Sequence, residues 1–377
     1  MQIVVNTRLL LKDRLEGIGW FSYQTLKRLT QNNPDVHFVF LFDRPFDESF
    51  IFSENITPIA LSPQARHPVL YYAWFQFSVK TILNRMKPDL FLSPDGFLAL
   101  GAACKQLPVI HDINFLHHPK DLKWLTGKYY NHFFPEFARQ ASRIATVSEY
   151  SRQDISMNYG IDPNKIDVVY NGINPFFGPV ENAVQTEIKK KYTQGKNYFV
   201  CVGSLHPRKN IPNLIKAFSL FKQESKADMK LVLAGPNFWG MSEILRAMEE
   251  NGLKEDVVFT SRLADNELAQ VLGAAEALTF IPYYEGFGIP LIEAMQAQVP
   301  IITANATSLP EIAGDAALLV NPFDPQEIKN AMLRLHGDKE LQKQLIEKGN
   351  LRKHLFSWDK SADLLWQSIL QTVSSRK

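Results

Sequence analysis

Cysteine is almost missing from this chain. Two, Cys104 and Cys201, stand in 377 residues, and neither belongs to a CxxC pair or a mixed Cys/His cluster, which argues against both a disulfide scaffold and a zinc site. A surplus of one charge is missing as well. Lys and Arg number 41 against 39 Asp and Glu, a formal net charge of +2, and no run of like charge supplies the basic footprint that nucleic acid requires. Long apolar runs are absent too. The longest outside the strands, VLYYAWFQFSV from Val69 to Val79, falls well short of the ~20 residues of a membrane span. Its aromatic content suits a half-buried packing helix, with peripheral contact at the inner face of a membrane as the other reading. At the N-terminus, MQIVVNTRLLLKDRLEG is interrupted by Asn6, Thr7 and Arg8 before a signal-peptide core can form, so the cytoplasm is the expected location. The sequons at Asn55 and Asn305 then read as chance.

What is present is an ordinary globular composition, 45% hydrophobic and 21% charged, in a chain longer than one compact core usually fills. Two domains are therefore expected. Short β-branched runs alternate with segments of helical period, the pattern of parallel sheets with crossover helices. Strand candidates in the first half are Ile3–Asn6, His37–Phe42, Leu90–Ser93, Pro108–Asp112, Ile144–Ser148 and Ile166–Tyr170. In the second half they are Tyr198–Gly203, Lys230–Gly235, Val257–Ser261, Ala277–Pro282, Pro300–Ala304 and Ala317–Asn321. Between the halves, NGINPFFGPVEN, Asn171 to Asn182, is dense in Gly, Pro and Asn and reads as a linker. After Trp358 an amphipathic segment, KSADLLWQSILQTVSS, makes a final helix.

Ligands of open parallel sheets bind beyond the carboxyl ends of the strands, so the strand ends hold the candidates. YYEGFGIPLIEAM, Tyr283 to Met295, carries Glu285 in a loop with Gly286, Phe287 and Gly288, and Glu293 in what reads as the first turn of a helix opened by Pro290. Glycines let main-chain N–H groups approach a ligand, a helix start favours an anion, and ionised glutamates accept from sugar hydroxyls. The blander reading has Glu293 complementing the helix dipole. GSLHPRKN places Gly203 at a strand end and Arg208 and Lys209 at the next turn, a fork and a point charge suited to a diphosphate, although GxxxxGK[ST] is absent. His111 and Asp112 close the PVIHD run. Gly17 and Gly19 open a helix as an incomplete GxGxxG, and Ser148 with Ser151 in TVSEYS ends another strand, where a helix cap alone would account for them.

Taken in order, the glycine pair, HD, TVSEYS, VVYNGI, GSLHPRKN and the E-x7-E of YYEGFGIPLIEAM resemble the retaining, family-4-type glycosyltransferases (glycosyl transferases group 1), over nearly the whole chain. The resemblance implies an α/β GT-B fold: two Rossmann-like domains with parallel sheets facing across a cleft, and a C-terminal helix crossing back to the N-terminal domain. It implies an acceptor-binding domain over 1–178 with the helix 358–377, and a donor-binding domain over 179–357. Arg208 and Lys209 would hold the diphosphate of a nucleotide-sugar donor and stabilise the leaving nucleotide. Glu293 would bind the ribose and Glu285 the donor sugar, with N–H groups near Phe287 and Gly288 assisting. His111 would approach the sugar from the other domain, and Gly17 or Gly19 would let the first loop near phosphate or acceptor. Asp112 is a candidate base ranked below His111, and Ser148 a secondary site residue.

The family's retaining mechanism has the acceptor hydroxyl attack on the face the diphosphate leaves, with no agreed protein nucleophile. It generally needs no metal or other cofactor, and no Asp-x-Asp occurs here. The expected activity moves a hexosyl unit, with guanosine diphosphate mannose the leading donor and uridine diphosphate sugars next, to a glycan or lipid-linked saccharide. The competing readings are a GT-B nucleotide-sugar epimerase, a non-catalytic two-domain sugar-binding protein and, ranked low, a glycoside hydrolase.

Overall fold

A computed structural model describes residues 1–236 and 241–375. The chain divides into two compact units, Met1–Gly172 joined by the segment from Ser357, and Ile173–Phe356. In the first unit β1 (Gln2–Asn6), β2 (His37–Phe42), β3 (Ile56–Ala60), β4 (Leu90–Ser93) and β5 (Lys105–Pro108) form a parallel sheet in the order β3-β2-β1-β4-β5. All four residues of β4 and all but the first of β2 are buried, as a sheet covered on both faces demands. A second pair, β6 (Ile144–Thr146) and β7 (Ile166–Val168), is also parallel.

One strand expectation changes, and one strand was not anticipated. The run from Pro108 to Asp112 is not itself a strand: β5 ends at Pro108, and the chain then leaves β4 for β6, with Val109 bridged to Ala145 and the Ile110 N–H bonded to the Ala145 carbonyl at 2.9 Å. His111 and Asp112 therefore stand beyond this crossing. β3 was hidden from sequence because Pro58 interrupts its pattern, yet at the sheet edge a proline costs no ladder bond.

The Val69–Val79 stretch is helical from Pro68 to Ala73, continues as a π-helical turn through Val79, and resumes as Lys80–Met86. Trp74, Phe75 and Val79 are buried in the aromatic core with Phe97, Phe134 and Phe137, whereas Val69, Tyr72 and Phe77 are exposed. Among the described residues no helix is long and apolar enough to cross a membrane.

The last helix, Trp358–Ser374, packs in the first unit against the helix Gly17–Asn32: Phe21 meets the Trp358 ring at 6.4 Å, and the Ser361 hydroxyl donates to the Tyr170 carbonyl. The chain passes so close here that a Cβ on Gly172 would lie 2.3 Å from the Trp358 nitrogen, so only glycine fits.

The second unit is a parallel sheet of β8 (Tyr198–Val202), β9 (Lys230–Ala234), β10 (Val257–Ser261), β11 (Ala277–Phe280), β12 (Ile301–Ala304) and β13 (Leu318–Val320), ordered β10-β9-β8-β11-β12-β13. Strand order reverses between β8 and β11 here, and between β1 and β4 in the first unit. Together these architectures are the Rossmann-like pattern of a GT-B chain.

Candidate active site

The segments after β8 and β11 meet at the reversal of the second sheet. Past Gly203 the chain makes a 3-10 turn, Pro207–Lys209, whose Arg208 N–H is capped by His206 Nδ1 at 3.4 Å. Asn210 follows in the left-handed region at φ 61°, and its side-chain amide donates to the Ile281 carbonyl at 3.2 Å and the Pro322 carbonyl at 2.6 Å. The Tyr283 N–H returns a bond to the Arg208 carbonyl at 3.0 Å. Backbone and amide together thus fix the basic turn against the loop after β11.

On that frame Lys209 Nζ and Arg208 Nη1 both donate to Glu285 Oε1. Arg208 also reaches the Tyr284 carbonyl at 3.2 Å, and Lys209 Nζ lies 4.3 Å from the centre of the Phe280 ring. Lys209 and Glu285 are buried. Burial pulls the Lys209 ammonium down to about 8 although Glu285 opposes it. Burial pushes the Glu285 carboxyl up, but Arg208 and Lys209 outweigh it and hold the group below its ordinary value. Gly203 flanks this pair: a Cβ there would sit 3.7 Å from Lys209 Nζ.

Glu293 departs from its expected place. The helix runs Ile289–Ala297 with Pro290 in its first turn, so Glu293 is past that turn, beyond the N–H groups and dipole that would stabilise an anion. It is buried, among the described residues its carboxyl has no hydrogen-bond partner, and burial, with Asp265 adding to it, pushes its pKa up to about 8. The group waits as a neutral acid.

The Glu285–Gly288 loop is held by residues that sequence reasoning passed over. The Glu285 N–H donates to Thr307 Oγ1 at 3.2 Å, and the buried Ser308 hydroxyl lies 3.0 Å from both the Glu285 and Phe287 carbonyls. Thr307 adopts φ 55°, a strained choice for a β-branched residue. Gly288 turns into the helix at φ 102°, where a Cβ would meet Leu309 at 2.7 Å. The only sequence signal was the cluster NATSLP, read as a chance sequon. At the other strand ends of this sheet, Ser261 closes β10 in the left-handed region at φ 59°, and in the stretch after Gly235 residues 237–240 lie outside the described residues.

In the first unit, Gly17 opens the helix Gly17–Asn32, and a Cβ on Gly19 would lie 3.1 Å from the Leu9 carbonyl. His111 Nε2 donates to the Pro94 carbonyl at 2.9 Å and its ring meets Phe21 edge-on at 5.0 Å. Burial lowers its pKa to about 4. The ring is therefore neutral near pH 7, with Nδ1 left as its acceptor. Asp112 Oδ1 accepts from the Asn114 N–H at 3.0 Å, an Asx turn. Ser148 is buried as the N-cap of Glu149–Tyr159, and Ser151 donates to the His111 carbonyl at 3.0 Å. Arg208, Lys209, Glu285 and Gly203 are thus one cluster, and His111, Ser148 and Ser151 another.

Known proteins share this organisation. The family described as Glycosyltransferase Family 4 matches residues 15–176, and that described as Glycosyl transferases group 1 matches residues 184–352. The chain is 26% identical over 365 residues to the O-antigen chain mannosyltransferase B of Escherichia coli, covering 93% of this chain and 94% of that one. It is 32% identical over 232 residues to the MMP alpha-(1->4)-mannosyltransferase of Mycolicibacterium hassiacum, covering 60% and 53%. The solved structure of Anabaena Alr3699/HepE in complex with UDP and glucose has the same fold, with a TM-score of 0.76 at 15% identity over 98% of this chain and 100% of that one.

Proposed function

Because the chain belongs to the glycosyltransferases that join a Family 4 half to a group 1 half, we propose that it moves a mannosyl unit from a nucleotide diphosphate sugar to a hydroxyl of a growing glycan, with retention at the anomeric carbon. The observation that carries the reading is the Arg208–Lys209–Glu285 cluster at the sheet reversal. Two cations there can take a diphosphate and stabilise its charge as it leaves, without a metal, while the carboxylate they release accepts from sugar hydroxyls. Glu293, once ionised, accepts from the ribose, and His111 is kept as a neutral imidazole whose Nδ1 is suited to accept from a sugar hydroxyl. The mannosyl assignment, and a place in polysaccharide synthesis, are supported by the names of the relatives. A uridine diphosphate sugar is the second reading, favoured by the UDP and glucose of the Anabaena structure.

A nucleotide-release assay over a donor panel tests this. Guanosine diphosphate mannose should give the highest rate with a mannoside acceptor, and the product should keep the donor's anomeric configuration by NMR. Turnover confined to uridine diphosphate sugars would replace the donor assignment, and an inverted product would overturn retention.

A further inference from the structure

We infer that Arg8, Asp95 and Tyr71 form a saccharide subsite in the first unit, one that takes a hexose ring of the acceptor; the inference rests on the glycosyltransferase reading. Strand order reverses between β1 and β4, and ligands collect beyond the carboxyl ends of the strands at such a point. Arg8 stands two residues past β1 and Asp95 two past β4, so the pair spans the reversal. Arg8 Nε donates to Asp95 Oδ2, while Asp95 Oδ1 accepts from Asn6 Nδ2 at 2.7 Å and from the Ser93 hydroxyl at 3.1 Å. The guanidinium carbon lies 4.7 Å from the centre of the Phe97 ring and 5.1 Å from that of Tyr71. His111 bonds to the carbonyl of Pro94, the neighbour of Asp95.

The Arg8 side chain is only 9% exposed, yet its pairing uses Nε alone. Among the described residues Nη1 and Nη2 donate to nothing, and neither is a sealed, solvent-free atom. Two other arginines of the unit use more of the fork: Arg44 grips Asp43 with both Nε and Nη2, and Arg143 grips Asp167 in the same way. A guanidinium taken out of water with donors left over is costly unless something fills them. The Phe97 and Tyr71 rings, 5.5 Å apart, crowd the guanidinium together and Asp95 holds its Nε edge, so the unused donors are kept beside a carboxylate acceptor. A pair of neighbouring hydroxyls fits that edge, and the half-buried Tyr71 ring offers an apolar face to the C–H side of a sugar. Asp95 already balances the charge of Arg8. An uncharged polyol is therefore favoured over a phosphate or carboxylate.

The test uses the full-length chain with methyl α-mannopyranoside as the probe, by calorimetry for binding and by initial rates with the donor found in the release panel. Arg8→Lys keeps the charge and removes the fork. It should weaken glycoside binding and raise the acceptor KM about tenfold, the worth of one charge-assisted hydrogen bond, with kcat and donor KM within about twofold. Tyr71→Leu should raise the acceptor KM in the same way, and it carries the test if Arg8→Lys does not fold. Unchanged glycoside affinity in a folded variant would overturn the subsite, as would inorganic phosphate competing with the glycoside in the wild type. If no donor is turned over while calorimetry still shows an Arg8-dependent glycoside site, the glycosyltransferase reading fails and the subsite stands.

Discussion

Glu293→Gln exchanges a buried carboxyl for an amide of nearly the same shape, and the consequence depends on pH in a way that can be worked out. The carboxyl titrates near 4.5 when unburied and at about 8 in the fold, because burial penalises its charged form and Asp265 adds repulsion. Its folded pKa is raised, so between these values the folded state holds a proton that the unfolded state has lost. Stability therefore falls as pH rises through this window and levels off above about 8. At about 1.4 kcal/mol per pH unit, the wild type gives up roughly 3 kcal/mol by pH 7 and roughly 5 kcal/mol above pH 8, relative to pH 4. Glutamine carries no such penalty. Urea unfolding of both proteins at several pH values isolates the effect, since titrating groups that do not interact with Glu293 cancel in the difference. The variant should gain on the wild type from pH 5 to pH 8 while binding nucleotide about tenfold more weakly at pH 8, having lost one charged acceptor. A stability difference that stays flat with pH, or favours the wild type at pH 8, would refute the account of Glu293 as a neutral acid held in reserve.

Four other outcomes are expected. Arg208→Ala should lower nucleotide release about 100-fold, and unchanged release would remove Arg208 from the diphosphate site. Glu285→Ala strands Lys209 without its main counterion, so turnover should collapse while nucleotide affinity holds, with a stability loss of about 3 kcal/mol by denaturant; an equal loss of affinity alone would contradict the division of roles. Ser308→Ala frees the Glu285 and Phe287 carbonyls and should lower kcat with little change in donor KM, whereas a pure stability defect with normal kcat would make Ser308 structural only. His111 has its pKa depressed from 6.5 to about 4 by burial, so its contribution to stability is lost as pH falls through that window, by roughly 3 kcal/mol at the lower end; His111→Gln should flatten that acid limb, and an unaltered limb would assign it to other groups.

Much of this architecture was legible because strands of a doubly covered parallel sheet must be largely apolar: β2 and β4 carry the bounds that the runs His37–Phe42 and Leu90–Ser93 imply. The misreadings have local causes. Pro58 disguised β3, and the apolar run through Ile110 continued past the point where the chain changes partners. Site chemistry was legible where it lay within one short stretch, such as the Arg208–Lys209 turn. It was hidden where partners are remote in sequence: Lys209 and Glu285 are 76 residues apart and Arg8 and Asp95 are 87 apart. Strand order, not periodicity, brings such residues together. The burial that keeps Glu293 neutral is likewise a property of the packed unit.

The two sheets share a device. In each, a cation after the central strand meets a carboxylate after the strand across the reversal, Arg8 with Asp95 and Lys209 with Glu285. Charges left alone in such a crevice would be costly, so each satisfies its neighbour until a ligand arrives. The pairs differ in what they hold back. Lys209 and Arg208 converge on one carboxylate oxygen, so in the proposed donor site a diphosphate competes with Glu285 for both cations and its binding frees that carboxylate for a sugar hydroxyl. Arg8 keeps its outer donors unspent, so a hydroxylated ligand adds to the pair without breaking it. In the proposed reaction, exchange would suit a charged donor and addition a neutral acceptor that has only to be oriented.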